Sequence, residues 1–293
     1  MNNCINNNDS IKTTFDNLRK DLQETFNFWE EDTKDDDVMD FPLNRLPEAI
    51  ERSDSFKLYR YTPADYFNIR NIETQTIHLS QNGVMNDVYE GLPITESKIE
   101  YHQLECLNDL AVMTCFSETN DNTLMWSHYA DSHRGFCVEY DIKAHIDNSC
   151  AAYSHLFPII YTQNRYIKKN IESLIESHYE LKKAIQENDV YDSFEPLDDI
   201  LPLFLTKGSE WEYEREWRII YTKKQLYDID NEELYKCNLS FPCISNIYLG
   251  YRIHPEVRKN IIEICNRITD KKVSLFQAEL EENSYKIKFK KIH

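Results

Sequence analysis

Residues 111–140 read AVMTCFSETNDNTLMWSHYADSHRGFCVEY, and the grouping of apolar residues in this stretch decides the fold class. Ala111 to Phe116 is a continuous apolar run of strand length. Thr123 to Tyr129 fits a short helix, and Phe136 to Tyr140 is a second strand after a turn at Gly135. Upstream, Phe56 to Tyr61 reads as a strand. Thr62 is then expected to cap a helix reaching about Asn71, with Pro63 at its first position and Asp65 three residues after the cap. Thr76 to Ser80 is a further strand ending in the polar loop Gln81-Asn82-Gly83, and residues near 96–109 carry a weak helical pattern.

Downstream, Pro158 to Tyr161 has strand character. From Arg165 to Gln186, Ile167, Ile171, Leu174, Leu181 and Ile185 recur on one helical face. Glu187 to Asp199 holds six acids and no base, as a solvated or mobile link would. Arg215 to Thr222 and Asn246 to Leu249 are strands, Pro255 opens a helix through Ile268, and strands follow near Val273 to Ala278 and Tyr285 to Phe289. Many short strands interleaved with unequal helices predict an α+β fold, with a curved or split, mostly antiparallel sheet and flanking helices.

Two units are expected: an acidic N-terminal appendage over 1–52 and a main α+β domain over 53–293. The appendage holds thirteen acids against six bases, and Phe15, Leu18, Leu22 and Phe26 at helical spacing predict a helix docked on the main body. A formal net charge of −18 opposes phosphate backbones, so nucleic acid is an unfavoured partner. The basic run Lys286 to Lys291 alternates with apolar residues, as a half-buried strand does. No stretch approaches the roughly 18 apolar residues of a membrane span and no signal segment leads the chain, which predicts a cytoplasmic protein without membrane partners. Eight cysteines form no CxxC pair and are read as reduced thiols, with neither structural zinc nor disulfide expected.

Five glycines leave neither GxGxxG nor a Walker-type loop, and no HExxH or clustered His/Cys set is present, so no metal is expected. Three segments embed polar groups among aromatics: Leu58-Tyr59-Arg60-Tyr61 followed by Asn86-Asp87, the run from Cys115 to Tyr140, and Trp211 to Arg218. Polar residues confined to apolar strands converge on something, which predicts Arg60, Ser117, His128 and Glu216 around one cleft. Each also has a structural reading. Arg60 pairs with an acid beside the sheet, Glu214, Glu216 and Arg218 form an ion-pair ladder on one strand face, Trp126 is core, His128 bonds internally, and Asn86-Asp87 makes a turn.

Taken together, Tyr59-Arg60-Tyr61, Asn86-Asp87, Cys115-Phe116-Ser117, Met125-Trp126-Ser127-His128-Tyr129-Ala130 with the later Gly135, and Glu214-Arg215-Glu216-Trp217-Arg218 resemble the bacterial domain-of-unknown-function family 2971 over about residues 56–250. Val88 stands where that family usually carries Pro. The layout also resembles mono-ADP-ribosyltransferases more loosely. That likeness implies an ADP-ribosyltransferase-like fold and NAD as substrate, consumed by ADP-ribosyl transfer or NAD glycohydrolysis in bacterial defence or conflict.

On the same likeness Arg60 anchors NAD, with Tyr61, Ser117, Tyr129, Trp126 and Asn86 in the binding set. Glu216, Glu214 and His128 supply the chemistry, and Glu216→Gln is expected to abolish cleavage with the fold intact. The partners implied are a small-molecule nucleotide and a protein acceptor or activating partner. The same residues leave two other classes open: a non-catalytic module sensing a nucleotide or peptide, and a metal-assisted nuclease or phosphodiesterase.

Overall fold

The computed structural model describes residues 15–24, 56–81, 85–95, 104, 107–108, 111–143, 155–165, 167–168, 172, 174–176, 178–180, 183, 197–222, 238–268 and 272–293. The expected helix near 96–109 and residues 187–196 of the acidic stretch lie almost wholly outside them.

The chain order is α1 (15–24), β1 (Lys57–Thr62), α2 (Tyr66–Thr74), β2 (Thr76–His78), β3 (Ser80–Gln81), β4 (Ile94–Thr95), β5 (Ala111–Ser117) and α3 (Thr123–His128). It continues with β6 (Phe136–Asp141), β7 (Leu156–Pro158), β8 (Ile160–Thr162), β9 (Ile167–Lys168), α4 (Leu197–Leu205) and β10 (Thr206–Gly208). A 3₁₀ turn (Ser209–Glu214) leads into β11 (Glu216–Thr222), followed by β12 (Asn238–Ser240), β13 (Ile244–Leu249), α5 (Pro255–Arg267), β14 (Ser274–Leu280) and β15 (Ile287–Lys291). The fold is α+β, around a nine-stranded sheet in the order β15-β14-β13-β6-β1-β5-β11-β7 with β3 also on β5. Within that sheet only β13 and β14 run parallel, joined through α5.

The sheet branches at β5. One edge of β5 pairs with β11 along its whole length, Glu216 opposite Ser117 through to Thr222 opposite Ala111. On its other edge Ser117 meets Tyr59 of β1, whereas Met113 and Val112 meet β3. Among the described residues Thr114, Cys115 and Phe116 therefore have a strand neighbour on the β11 side only, and a gap opens beside them.

Alternation of side chains assigns the two faces. Leu58, Phe116, Val138, Tyr140, Trp217 and Ile219 point into the largest apolar cluster, which α5 covers with Ile261 and Ile264. On the opposite face two smaller clusters form, one around Met113, Ile220 and Phe204 and one around Tyr61, Trp126 and Tyr248. Glu216 and Arg218 emerge on this opposite face, because they sit across from Ser117 and Cys115.

Helix α1 is docked as its spacing predicts, with Phe15 and Leu18 in the largest cluster and Leu22 in the second. Phe15 meets Phe56 and Trp217 edge-on, each at 5.0 Å. Phe26 lies outside the described residues.

Several local expectations are corrected. Thr62 does not cap α2; it remains the last residue of β1, paired with Phe136, and Asp65 caps by accepting the Asn68 N–H at 2.8 Å. The helix expected from Arg165 does not include Ile167–Lys168, which pairs in parallel with β4; the first helical position among the described residues is 172. The acidic link ends early, because α4 starts at Leu197. Burial of Leu201, Leu203, Phe204 and Leu205 outweighs both the nearby acids and Pro202 within the helix. The last strand begins at Ile287 rather than Tyr285, whose side chain is fully exposed.

Cys115, Cys137, Cys243 and Cys265 are free thiols. No helix among the described residues is long and apolar enough to cross a membrane.

Candidate functional site

The gap beside β5 opens into a cavity of about 330 Å³. Arg60 and Tyr61 of β1 reach it from one side, and Ser117 of β5, with His128 and Tyr129 at the end of α3, close the next. Asn86 and Glu90 enter from the loop before β4, and Lys207, Glu214, Glu216 and Arg218 form the floor. The cleft expected around Arg60, Ser117, His128 and Glu216 is thus one continuous cavity. Trp126 is the exception in the expected binding set. It is fully buried under α3, donates its indole N–H to the Asn120 carbonyl at 2.8 Å and stacks on His133, so it supports the wall without facing a ligand.

The floor is a lattice of buried charges. Arg218 grips Glu216 with two nitrogens, Nε to Oε1 at 2.7 Å and Nη2 to Oε2 at 3.1 Å, and also bonds Glu90 and the Phe204 carbonyl. Lys207 reaches Glu216 at 2.9 Å and Glu214 at 2.6 Å. Tyr129 donates its hydroxyl to Glu214. Asn86 lines the same cavity as Tyr129. All five charged groups are nearly inaccessible to water, where unpaired charge is costly.

Glu214 and Glu216 do not share a strand, as the two-residue spacing had suggested. Glu214 ends the 3₁₀ turn, and Arg215 follows in the left-handed region at φ 47°. This reversal aims both carboxylates at Lys207. The Ser117 hydroxyl fixes the turn, donating to the Glu214 carbonyl at 2.7 Å, so Ser117 is occupied as a positioning group. From behind, Arg215 is held by Glu118 at 2.9 Å and by Asp16 of α1 at 2.6 Å. Arg19 of α1 adds an ion pair to Glu118 at 2.6 Å and donates to the Ile159 carbonyl at 3.1 Å. The N-terminal helix thereby clamps the turn that carries the paired acids.

Three carboxylates face two cations, which leaves one excess negative charge if all are ionised. Burial pushes the Glu214 pKa up and Glu216 adds to the rise, against the opposing pull of Lys207. Glu90 is likewise raised by burial, with Arg218 opposing. For Glu216, burial acts upward too, but Arg218 and Lys207 outweigh it and hold this carboxyl well below the usual range. Ionisation is thus disfavoured at Glu90 and Glu214 and favoured at Glu216.

A pH signature follows, with opposite signs for the two acids. A carboxyl with a raised folded pKa contributes stability below its unfolded value and loses that contribution as pH rises through the folded pKa. Glu216, with a depressed pKa, contributes above its unfolded value and loses it as pH falls. Glu214→Gln removes the first titration, so its stability relative to the parent is expected to increase as pH rises from about 4 upward. Urea midpoints across pH measure this, and a pH-independent difference would show that Glu214 titrates alike in the folded and unfolded states.

Arg60 differs from these pairs. It lies close enough to the buried Tyr140 hydroxyl to oppose the rise that burial causes in that group's pKa, and among the described residues no carboxylate bridges it. Thr114 Oγ1, on the cavity wall, is buried without a hydrogen-bond partner. His128 stands exposed at the rim, its ring near Tyr129 and Tyr213 at 6.3 and 6.5 Å. Asp87 makes the expected turn by accepting the Tyr89 N–H at 2.9 Å, and this turn delivers Glu90 to Arg218.

Sequence reasoning missed Lys207 and Glu90. Lys207 had one signal, as the single base in the apolar stretch from Leu197 to Trp211. Glu90 had none, since only the fold brings its loop to β11.

Residues 125–219 match the model of a family described as a protein of unknown function, DUF2971. The matched segment contains Tyr129, Lys207, Glu214, Glu216 and Arg218, and Arg60, Asn86 and Glu90 lie before it. No curated protein and no solved structure matches the chain.

Proposed function

We propose that the cavity binds NAD and breaks its nicotinamide–ribose bond, passing the ribosyl group to water or to a protein acceptor. The observation that supports this most is the buried cluster of three carboxyl groups against two cations in the floor, facing a wall of tyrosines, with Arg60, which no carboxylate among the described residues bridges, on another wall. Nicotinamide in NAD is a cation, so it complements the floor, and the neighbouring phosphates suit Arg60.

In the reaction the C1′–N bond breaks and its electron pair leaves on the ring nitrogen, releasing neutral nicotinamide. The ribose becomes an oxocarbenium-like cation, which fixed carboxylates in a dry site stabilise. Water or an acceptor nucleophile then bonds C1′, and Glu214 in its ionised form takes the proton lost. Glu214 has the reactive position because, among the described residues, Lys207 and Tyr129 bind its carboxylate, whereas the Glu216 carboxylate is engaged on both oxygens by Arg218 and shared with Lys207. For the same reason Glu216→Gln strikes the charge lattice itself, and retention of an intact fold is not expected of it.

The test is NAD consumption by the purified full chain, followed as free nicotinamide. Nicotinamide release is expected, with Arg60→Ala raising KM more than it lowers kcat, since a phosphate anchor binds substrate and transition state alike. No NAD binding and no release with water or protein acceptors would overturn the reading. Binding without release would transfer the site to a nucleotide-sensing module.

A further inference from the structure

A second cavity, of about 500 Å³, adjoins the first, and the two share Asn86 and Lys207 in their walls. The proposed chemistry leaves it unused. Its walls come from the loop before β4, the turn after β8 and the segment from Leu203 to Trp211.

Two aromatic rings face this space, and each is backed by a cation. The Arg165 guanidinium lies 5.1 Å from the Tyr89 ring centre, and Lys207 Nζ lies 4.9 Å from that of Trp211. Tyr89 is 61% exposed, an unusual position for a large ring unless something covers it. Arg165 is fixed by the Leu92 and Pro93 carbonyls at 2.7 and 3.2 Å, and no carboxylate among the described residues neutralises it. The amides of Gln163, Asn164 and Asn86 and the acids Asp87 and Glu210 line the same space.

These groups match the parts of a nucleoside monophosphate. Flat rings stack a base, amide side chains read a base edge, carboxylates accept from ribose hydroxyls, and a fixed guanidinium meets a phosphate. A lipid or an aliphatic peptide would use neither the paired rings nor the amides.

We infer that the second cavity holds the adenosine monophosphate half of a dinucleotide whose other half occupies the first, with Asn86 and Lys207 at the waist. The order of the two halves rests on the NAD reading of the first cavity. Occupancy of the second by an adenine nucleotide stands on its own.

The experiment separates the two. AMP is titrated calorimetrically into the full chain, into Tyr89→Ala and into Trp211→Ala, and NAD is compared with nicotinamide mononucleotide as substrate. AMP is expected to bind and to lose affinity at least about 10-fold in each variant, on the scale of one base–aromatic stack. KM for NAD should rise similarly in both variants, and in Tyr89→Ala, which does not touch the floor of the first cavity, KM for the mononucleotide stays unchanged. Tyr89 is exposed, so its loss leaves the fold intact even if Trp211→Ala is destabilised. Failure of AMP to bind, or equal binding by Tyr89→Ala and the parent, overturns the inference whatever happens to NAD. AMP binding lost in the variants, with no cleavage of NAD, upholds this cavity and overturns the glycosidic reading of the first.

Discussion

Glu214→Gln is expected to lower nicotinamide release about 10²–10³-fold, the usual loss when one group stabilising a transition-state charge is removed. The amide keeps the size of the side chain, and its oxygen still accepts from Lys207, so Lys207 remains in place. What disappears is the negative charge that would face the ribosyl cation. Because Glu214 is the group whose burial disfavours ionisation, the folded protein tolerates its neutral form, and folding should survive the change. KM should move far less than kcat, and single-turnover kinetics with NAD would resolve the two. Full turnover in Glu214→Gln would remove Glu214 from the chemistry.

Arg218→Met is expected to destabilise the protein by about 3–5 kcal/mol, the range found when one partner of a buried ion pair is deleted. Arg218 is fully buried and carries the double bond to Glu216, the contact with Glu90 and the bond to the Phe204 carbonyl. Methionine fills similar space but leaves three buried carboxylates beside Lys207 alone. Denaturant unfolding of the variant measures the loss. Adding Glu216→Gln to Arg218→Met should recover part of it, because the second change removes the stranded charge, and the interaction is read from the double-mutant cycle. A single-variant loss below about 1 kcal/mol would place the lattice in contact with solvent, where ion pairs contribute little.

Much of the site could be named before any coordinates, for a local reason. Arg60, Ser117 and Glu216 are polar residues set in apolar strands or at their ends, with Tyr129 closing the short helix α3, and such placement is costly unless something is gained by it. Trp126 sits in the same unusual stretch but faces the other way. The helix phase turns it inward, and the pattern did not separate a ring under the cavity from a ring in its wall. Lys207 and Glu90 escaped because their roles depend on contacts made across the fold. Lys207 is drawn into the floor when β10 pairs with β8, and Glu90 when the Asp87 turn folds against Arg218.

By itself the sequence determined the α+β class, most strand positions and the docked helix at Phe15 to Leu22, because runs and periodicities of apolar residues report which side of an element is buried. It also determined the match to a family of unknown function, carried by the residues from Met125 to Ile219. Tertiary structure alone decided that β1 and β3 part along β5, and so where a cavity could open. It alone placed Glu214 off the strand through the left-handed Arg215 and brought Lys207 to both acids. Periodicity records burial one element at a time, whereas pKa and charge balance depend on neighbours distant in sequence, and those are set only when the sheet closes around them.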